Sequence, residues 1–155
     1  MRARSWILLS LLSCCSRPPD RATAESEVNK VLDAFHDAAA RADEEAYFGH
    51  FAATGVFLGT DAKERWDVAA FRAYSHPHFV KGKAWTFKMT RRAIALSSDA
   101  RVAWFDEDLA SAHLGPVRGS GVLLREGTAW KIAQYNLTVP IPNEKFKDIK
   151  TIIDK

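Results

Sequence analysis

Cysteine is nearly absent from this chain of 155 residues: there are two, Cys14 and Cys15, side by side near the N-terminus. No thiol follows them, which excludes an internal disulfide, a cysteine nucleophile and a thiolate metal site from any domain built downstream. A Gly-x-Ser-x-Gly elbow, a phosphate loop and a dinucleotide-binding glycine fingerprint are also missing, so nucleophilic hydrolase, nucleotide and nicotinamide readings have no support. Charge of one sign is scarce. Lys plus Arg number 22 against 19 Asp plus Glu, a formal +3, and without a dense basic run this balance argues against a nucleic-acid protein. What is present is the material of a packed core, 47% hydrophobic and 26% charged residues, enough for one ordinary domain and too apolar for disorder as the main state.

Arg2 and Arg4 precede a short apolar run from Trp6 to Leu12, far too short to span a bilayer as a helix. This reads as an export signal. Leu11-Leu12-Ser13-Cys14 resembles the lipobox of bacterial lipoproteins, which implies cleavage after residue 13, lipid on Cys14, and a protein held at the periplasmic or cell-surface side of a membrane. A plain secretory leader is the alternative. Residues 14–24, with Pro18 and Pro19, then suit an extended tether.

From Glu25 to Arg41 the apolar positions Val28, Val31, Leu32, Phe35, Ala38, Ala39 and Ala42 follow helical spacing. Asp43 has the place of an N-cap for a short second helix running to about Phe51, since its carboxylate can accept from free amides of the next turn. Residues 54–59 read as a small strand, Asp67 as the cap of a third helix carrying Val68, Phe71 and Tyr74, and Pro77 as its stop. Beyond Gly82 the period becomes two, in runs near 84–96, 101–112, 117–126 and 129–139 separated by turn signals. Three helices followed by such a meander make an α+β arrangement with helices covering one sheet face. Residues 143–155 carry Phe146, Ile149, Ile152 and Ile153, spaced for an amphipathic tail helix.

Several of these segments resemble the SnoaL-like branch of the nuclear transport factor 2-like superfamily: Ala39-Ala40-Arg41-Ala42-Asp43, Phe57-Leu58-Gly59-Thr60-Asp61 with Glu64-Arg65-Trp66, Ala103-Trp104-Phe105-Asp106-Glu107, Arg118-Gly119-Ser120-Gly121-Val122-Leu123, and Trp130-Lys131-Ile132-Ala133-Gln134-Tyr135. The resemblance covers about residues 25–142. It implies a cone-shaped α+β fold with a pocket between curved sheet and helices, often in a homodimer. It leaves function open, because the superfamily holds both enzymes and proteins that only bind or assemble. A ketosteroid isomerase comparison fails at two positions, with Gly59 near the place of the general base and Phe35 near that of the oxyanion donor.

Strand alternation nominates the site residues. Trp85, Phe87 and Met89 share one face of the first long strand, and Ala103, Phe105, Glu107 and Leu109 one face of the second, both expected to point inward. In the third strand the face of Val122 and Leu124 also carries Arg118 and Ser120, and in the fourth the face of Trp130 and Ile132 also carries Gln134 and Asn136. Glu107, Arg118, Gln134 and Asn136 would then meet in one concavity. Glu107 is there either a general base or ligand-orienting group, tuned by an apolar wall and by Arg118, or one half of a buried pair that fixes strand register. Asp61 and Trp66 lie in a turn at the expected mouth, as ligand contacts or as turn and staple residues. His76-Pro77-His78 reads as a loop rather than a metal site, because no Cys is available and further ligands would have to come from elsewhere.

The resulting expectation is a small, largely apolar ligand in the cone, with no cofactor or metal. Acid/base isomerase, cyclase or dehydratase chemistry centred on Glu107 is the alternative. A homodimeric assembly module, pairing through an outer sheet face that carries Thr86, Lys88, Tyr135 and Leu137, is a third reading.

Overall fold

The computed structural model describes residues 20–82 and 84–154. The leader and the lipobox Cys14 lie outside the described residues. Helix α1 (Arg21–Ala40) buries Ala24, Val28, Leu32, Phe35, Ala38 and Ala39 along one stripe. It starts four residues ahead of the expected point, inside the segment read as tether, because Ala24 is already wholly buried. Asp43 accepts from the Ala46 amide at 3.0 Å and opens α2 (Glu44–Gly49), with Glu44 and Glu45 suiting the positive end of its dipole. Strands β1 (Phe51–Leu58) and β2 (Arg65–Asp67) pair antiparallel, and Asp67 caps α3 (Val68–Val80) through the Ala70 amide at 2.8 Å. Pro77 does not end α3. The helix continues to Val80 because Phe79 is buried in the core, which offsets the hydrogen bond that proline forfeits.

Strands β3 (Lys88–Leu96), β4 (Val102–Ser111), β5 (Gly115–Glu126) and β6 (Ala129–Thr138) form the expected antiparallel meander, and β1 joins its end parallel to β6. The sheet order is β2-β1-β6-β5-β4-β3, and the helices pack on one face of it. A 3-10 turn (Asn143–Lys145) leads into α4 (Phe146–Ile153). Among the described residues no helix is long and apolar enough to cross a membrane.

Strand β4 alternates as expected, with Ala103, Phe105, Glu107 and Leu109 buried. Strands β3 and β6 depart from simple alternation, and β5 alternates with its other face inward. On β5 the buried residues are Val117, Gly119 and Leu123, so Arg118, Ser120 and Leu124 belong to the outer face. On β6 the pairing with β5 slips between Ile132 and Gln134, leaving Ala133 without a partner. This bulge keeps Trp130 and Ile132 inside, then turns Tyr135 and Leu137 inward and Gln134 and Asn136 outward. Tyr135 and Leu137 are therefore core residues and not part of an outer surface. A second slip between Met89 and Arg91 leaves Met89 exposed and turns Arg92, Ile94 and Leu96 toward the helices.

Candidate functional site

The helices and the sheet enclose a cavity of about 270 Å³. One wall is a run of nearly parallel rings. Phe57 stacks on Phe71 with centroids 3.9 Å apart and 13° between planes, Trp66 lies 12° from Phe71, and Tyr74 stacks on Trp66 at 4.6 Å. Trp85 and Phe87 close the side where the chain enters β3, and Phe35, Tyr47 and Tyr135 form the deep end. The mouth is made by Thr60 and Glu64 from the turn between β1 and β2, by His113 and Leu114 from the turn between β4 and β5, and by Tyr74 and His78 of α3. No Lys or Arg lines it among the described residues.

Polar groups gather at the deep end. Glu107 is completely buried. Its Oε1 accepts from the Tyr135 hydroxyl at 2.8 Å and lies 2.7 Å from His36 Nε2. Its Oε2 accepts from Arg92 Nε at 2.8 Å, with Arg92 Nη2 at 2.8 Å as an ion pair that lacks good hydrogen-bond alignment. Arg92 is itself held by Asp33 at 2.8 Å and by Asn29. Burial alone would push the Glu107 carboxyl up; the bond and charge of His36, then Arg92, then Tyr135 outweigh it and hold the group below its ordinary value. Burial and the adjacent carboxylate push the Tyr135 hydroxyl well above its usual range, so it stays protonated and donates.

Space for this arrangement comes from a missing side chain. A Cβ on Gly119 would stand 2.2 Å from the Tyr135 hydroxyl and 2.9 Å from Glu107 Oε1. Glycine there lets the tyrosine reach the carboxylate.

Two further polar groups belong to residues that line the cavity. His36 lines it, and with Nε2 on Glu107 its Nδ1 has no hydrogen-bond partner among the described residues. The Tyr47 hydroxyl is buried and has no partner either; the Trp85 indole, with centroids 5.5 Å away and planes 80° apart, gives it no bond of acceptable geometry. Burial pushes this hydroxyl well above its ordinary value, so Tyr47 is neutral. An unpaired buried hydroxyl costs free energy.

Of the residues nominated from the sequence, Trp66, Trp85 and Phe87 line the cavity and Glu107 sits behind it. Phe105 is buried against the Tyr135 ring, 5.8 Å between centroids, and does not reach the cavity. Asp61 does not line it either: it closes its own turn on the Lys63 amide, while its neighbours Thr60 and Glu64 reach the mouth. Arg118 is not the partner of Glu107. It is exposed on the outer face beside Asp108, and the bulge sends Gln134 and Asn136 to that same face, where Asn136 donates to Thr138. His76 bonds Glu44 at 2.7 Å, and His78 stands at the mouth. Alternation alone overlooked His36, Tyr47, Arg92 and Tyr135. His36 had a visible signal, standing four residues after Leu32 and eight after Val28 on the stripe of α1 that faces the core.

A curved sheet closed by helices over an aromatic cavity is the nuclear transport factor 2-like class of fold, and solved structures agree. The chain is similar to a nuclear transport factor 2-like protein of unknown function from Pseudomonas putida KT2440 (TM-score 0.66, 14% identity, 80% of this chain and 92% of that one). It is similar to a cystatin-like fold protein from Burkholderia xenovorans LB400 (0.65, 18%, 79% and 96%). A Streptomyces avermitilis protein of the same class, whose name proposes a dehydratase, gives 0.65 at 13% identity over 79% and 100%. At such identities the likeness carries the fold and no activity. No curated protein matches the chain. Residues 28–142 match the SnoaL-like domain model, and the chain belongs to that family.

Proposed function

We propose that the cavity binds a small, planar, largely apolar molecule bearing one hydrogen-bonding group. The observation that carries this reading is the aromatic-walled cavity itself, with the unpartnered Tyr47 hydroxyl buried just behind its lining. Sites of this composition, mostly apolar with few placed polar groups, are the usual makeup of ligand pockets. A cavity of roughly 150 Å³ takes one benzene ring, so about 270 Å³ suits one to two fused rings. The near-parallel rings of Phe57, Phe71 and Trp66 favour a flat molecule lying along them. Tyr47 and the free nitrogen of His36 supply the polar contact.

Titration with 2-naphthol, followed by the fluorescence of Trp66 and Trp85, tests this. Saturable binding is expected, and Tyr47→Phe should weaken it by roughly three- to tenfold, the worth of one hydrogen bond, while leaving naphthalene binding unchanged. No saturable binding of either probe overturns the reading.

Acid/base catalysis is the second reading, favoured by the 2.7 Å contact between His36 and Glu107. Glu107, enclosed and fully engaged, is then not the base; it orients His36, whose Nδ1 meets the substrate. Loss of turnover in His36→Gln with probe binding retained would separate enzyme from binder. Export through the leader, with Cys14 as lipid anchor, belongs to the same proposal and rests on the lipobox sequence. A homodimer pairing through the outer sheet face, where Trp104 is half exposed, is likewise proposed, with sedimentation as its check.

A further inference from the structure

Helix α4 carries Phe146, Ile149, Ile152 and Ile153 on one side, and Phe146 is 61%, Ile152 68% and Ile153 75% exposed. It packs chiefly against the 3-10 turn that precedes it. Eight residues are too few for a helix to be stable alone in water, and an apolar face of this kind needs a cover. The cavity mouth shows the complementary feature. Tyr74 and Leu114 line it yet are 52% and 40% exposed.

Chain geometry connects the two. Strand β6 ends at Thr138, one residue after Leu137, which lines the cavity. Asn136 pairs with Leu58, next to the first mouth turn, and Thr138 pairs with Arg118, four residues from Leu114 in the second. The connecting segment 139–145 thus starts between the two mouth turns. Pro140 and Pro142 keep residues 139–142 extended, and with the 3-10 turn that follows the segment reaches about 19 Å, further than the roughly 14 Å that four strand residues separate Arg118 from Leu114. The tail's side chains carry only one net positive charge, with Lys145, Lys147, Lys150 and Lys155 against Glu144, Asp148 and Asp154, which disfavours an anionic bilayer as the cover.

We infer that α4 is the lid of its own chain's cavity, its apolar face docking on Tyr74 and Leu114 across the mouth. Closure would exclude water from the cavity and slow escape of its occupant. That purpose rests on the ligand-binding reading; the docking itself does not.

The test is a cysteine pair, Leu114→Cys with Ile152→Cys, in the full chain carrying Cys14→Ser and Cys15→Ser. A disulfide requires Cα atoms within about 7 Å, so it forms only when the helix reaches the mouth. Under mild oxidation without ligand, an intramolecular cross-link is expected. Adding Phe146→Ser and Ile153→Ser should slow its formation at least about tenfold, because docking then loses two large apolar side chains. Absence of the cross-link, its appearance only in dimers, or an unchanged rate with the serines overturns the lid. Because no ligand is added, that failure leaves the 2-naphthol result standing, and failure of the titration leaves the cross-link interpretable.

Discussion

Replacing Glu107 with Gln keeps its shape and removes its charge, and the surroundings determine the outcome. The carboxylate takes four approaches: His36 and Tyr135 on one oxygen, Arg92 Nε and Nη2 on the other. Glutamine has one acceptor oxygen. If it faces Arg92, its amide must face His36 and Tyr135, which then have to accept, and the proton of His36 moves to Nδ1. The Arg92 side chain, 3% exposed, loses its buried counter-charge and keeps only Asp33, itself 60% exposed, with Asn29. Removing one member of a buried pair costs about 3–5 kcal/mol; the remaining contacts of Arg92 place Glu107→Gln near the lower end, about 3 kcal/mol. With a typical urea m of about 2 kcal/mol/M, the midpoint falls by roughly 1.5 M at pH 7. Acid should shrink the difference. The folded-state pKa of Glu107 lies below its ordinary 4.5, so its contribution is present above that value and is lost as pH falls through the lower folded value. Paired urea titrations at pH 7 and pH 3 measure both effects. A gap under about 1 kcal/mol at pH 7, or one that persists undiminished at pH 3, refutes the reasoning.

Gly119→Ala pushes a methyl into the space of the Tyr135 hydroxyl and should cost about 2–3 kcal/mol in urea unfolding; a loss below about 0.5 kcal/mol would mean the ring yields freely. Replacing the buried network together, as Glu107→Leu with Arg92→Met, His36→Leu and Tyr135→Phe, should leave stability within about 2 kcal/mol of the parent, since apolar residues of similar volume commonly match a buried ion pair. That combined variant should reduce, without abolishing, the preference for 2-naphthol over naphthalene, because Tyr47 remains; an undiminished preference would show the network plays no part in recognition. Cys14→Ser should move the exported protein from the membrane fraction to the soluble one, because the lipid is the proposed attachment; continued membrane retention argues against the lipobox reading.

Much of the fold was legible because it follows from two periods. The stripe of α1, the capping aspartates Asp43 and Asp67, and the four long strands with their turns all announce themselves locally. So did the inner face of β4, a run without irregularity, and with it the burial of Glu107. Pro77 misled because a local rule was weighed without the burial of Phe79 two residues on. The early start of α1 was hidden by small residues, where Ala22 and Ala24 look like tether until packing makes Ala24 part of the core.

The site was less legible, for a reason that lies in how it is built. Regular strands deliver one set of side chains to each face, and a regular β6 would have presented Gln134 and Asn136 to the concavity. The bulge on β6 instead brings in Tyr135, and the slip on β3 brings in Arg92. Side-chain bulk was a false guide on β5, since the inner face carries Gly119 and Gly121 because the rings of Tyr135 and Phe105 fill the space a side chain would need. Each of the two slips is a backbone irregularity on one strand whose benefit appears on another. Only pairing across the sheet reveals that Gly119, Tyr135 and Glu107 are a single device: the glycine admits the hydroxyl, the hydroxyl and Arg92 hold the carboxylate, and the carboxylate fixes the imidazole of His36 in the cavity wall.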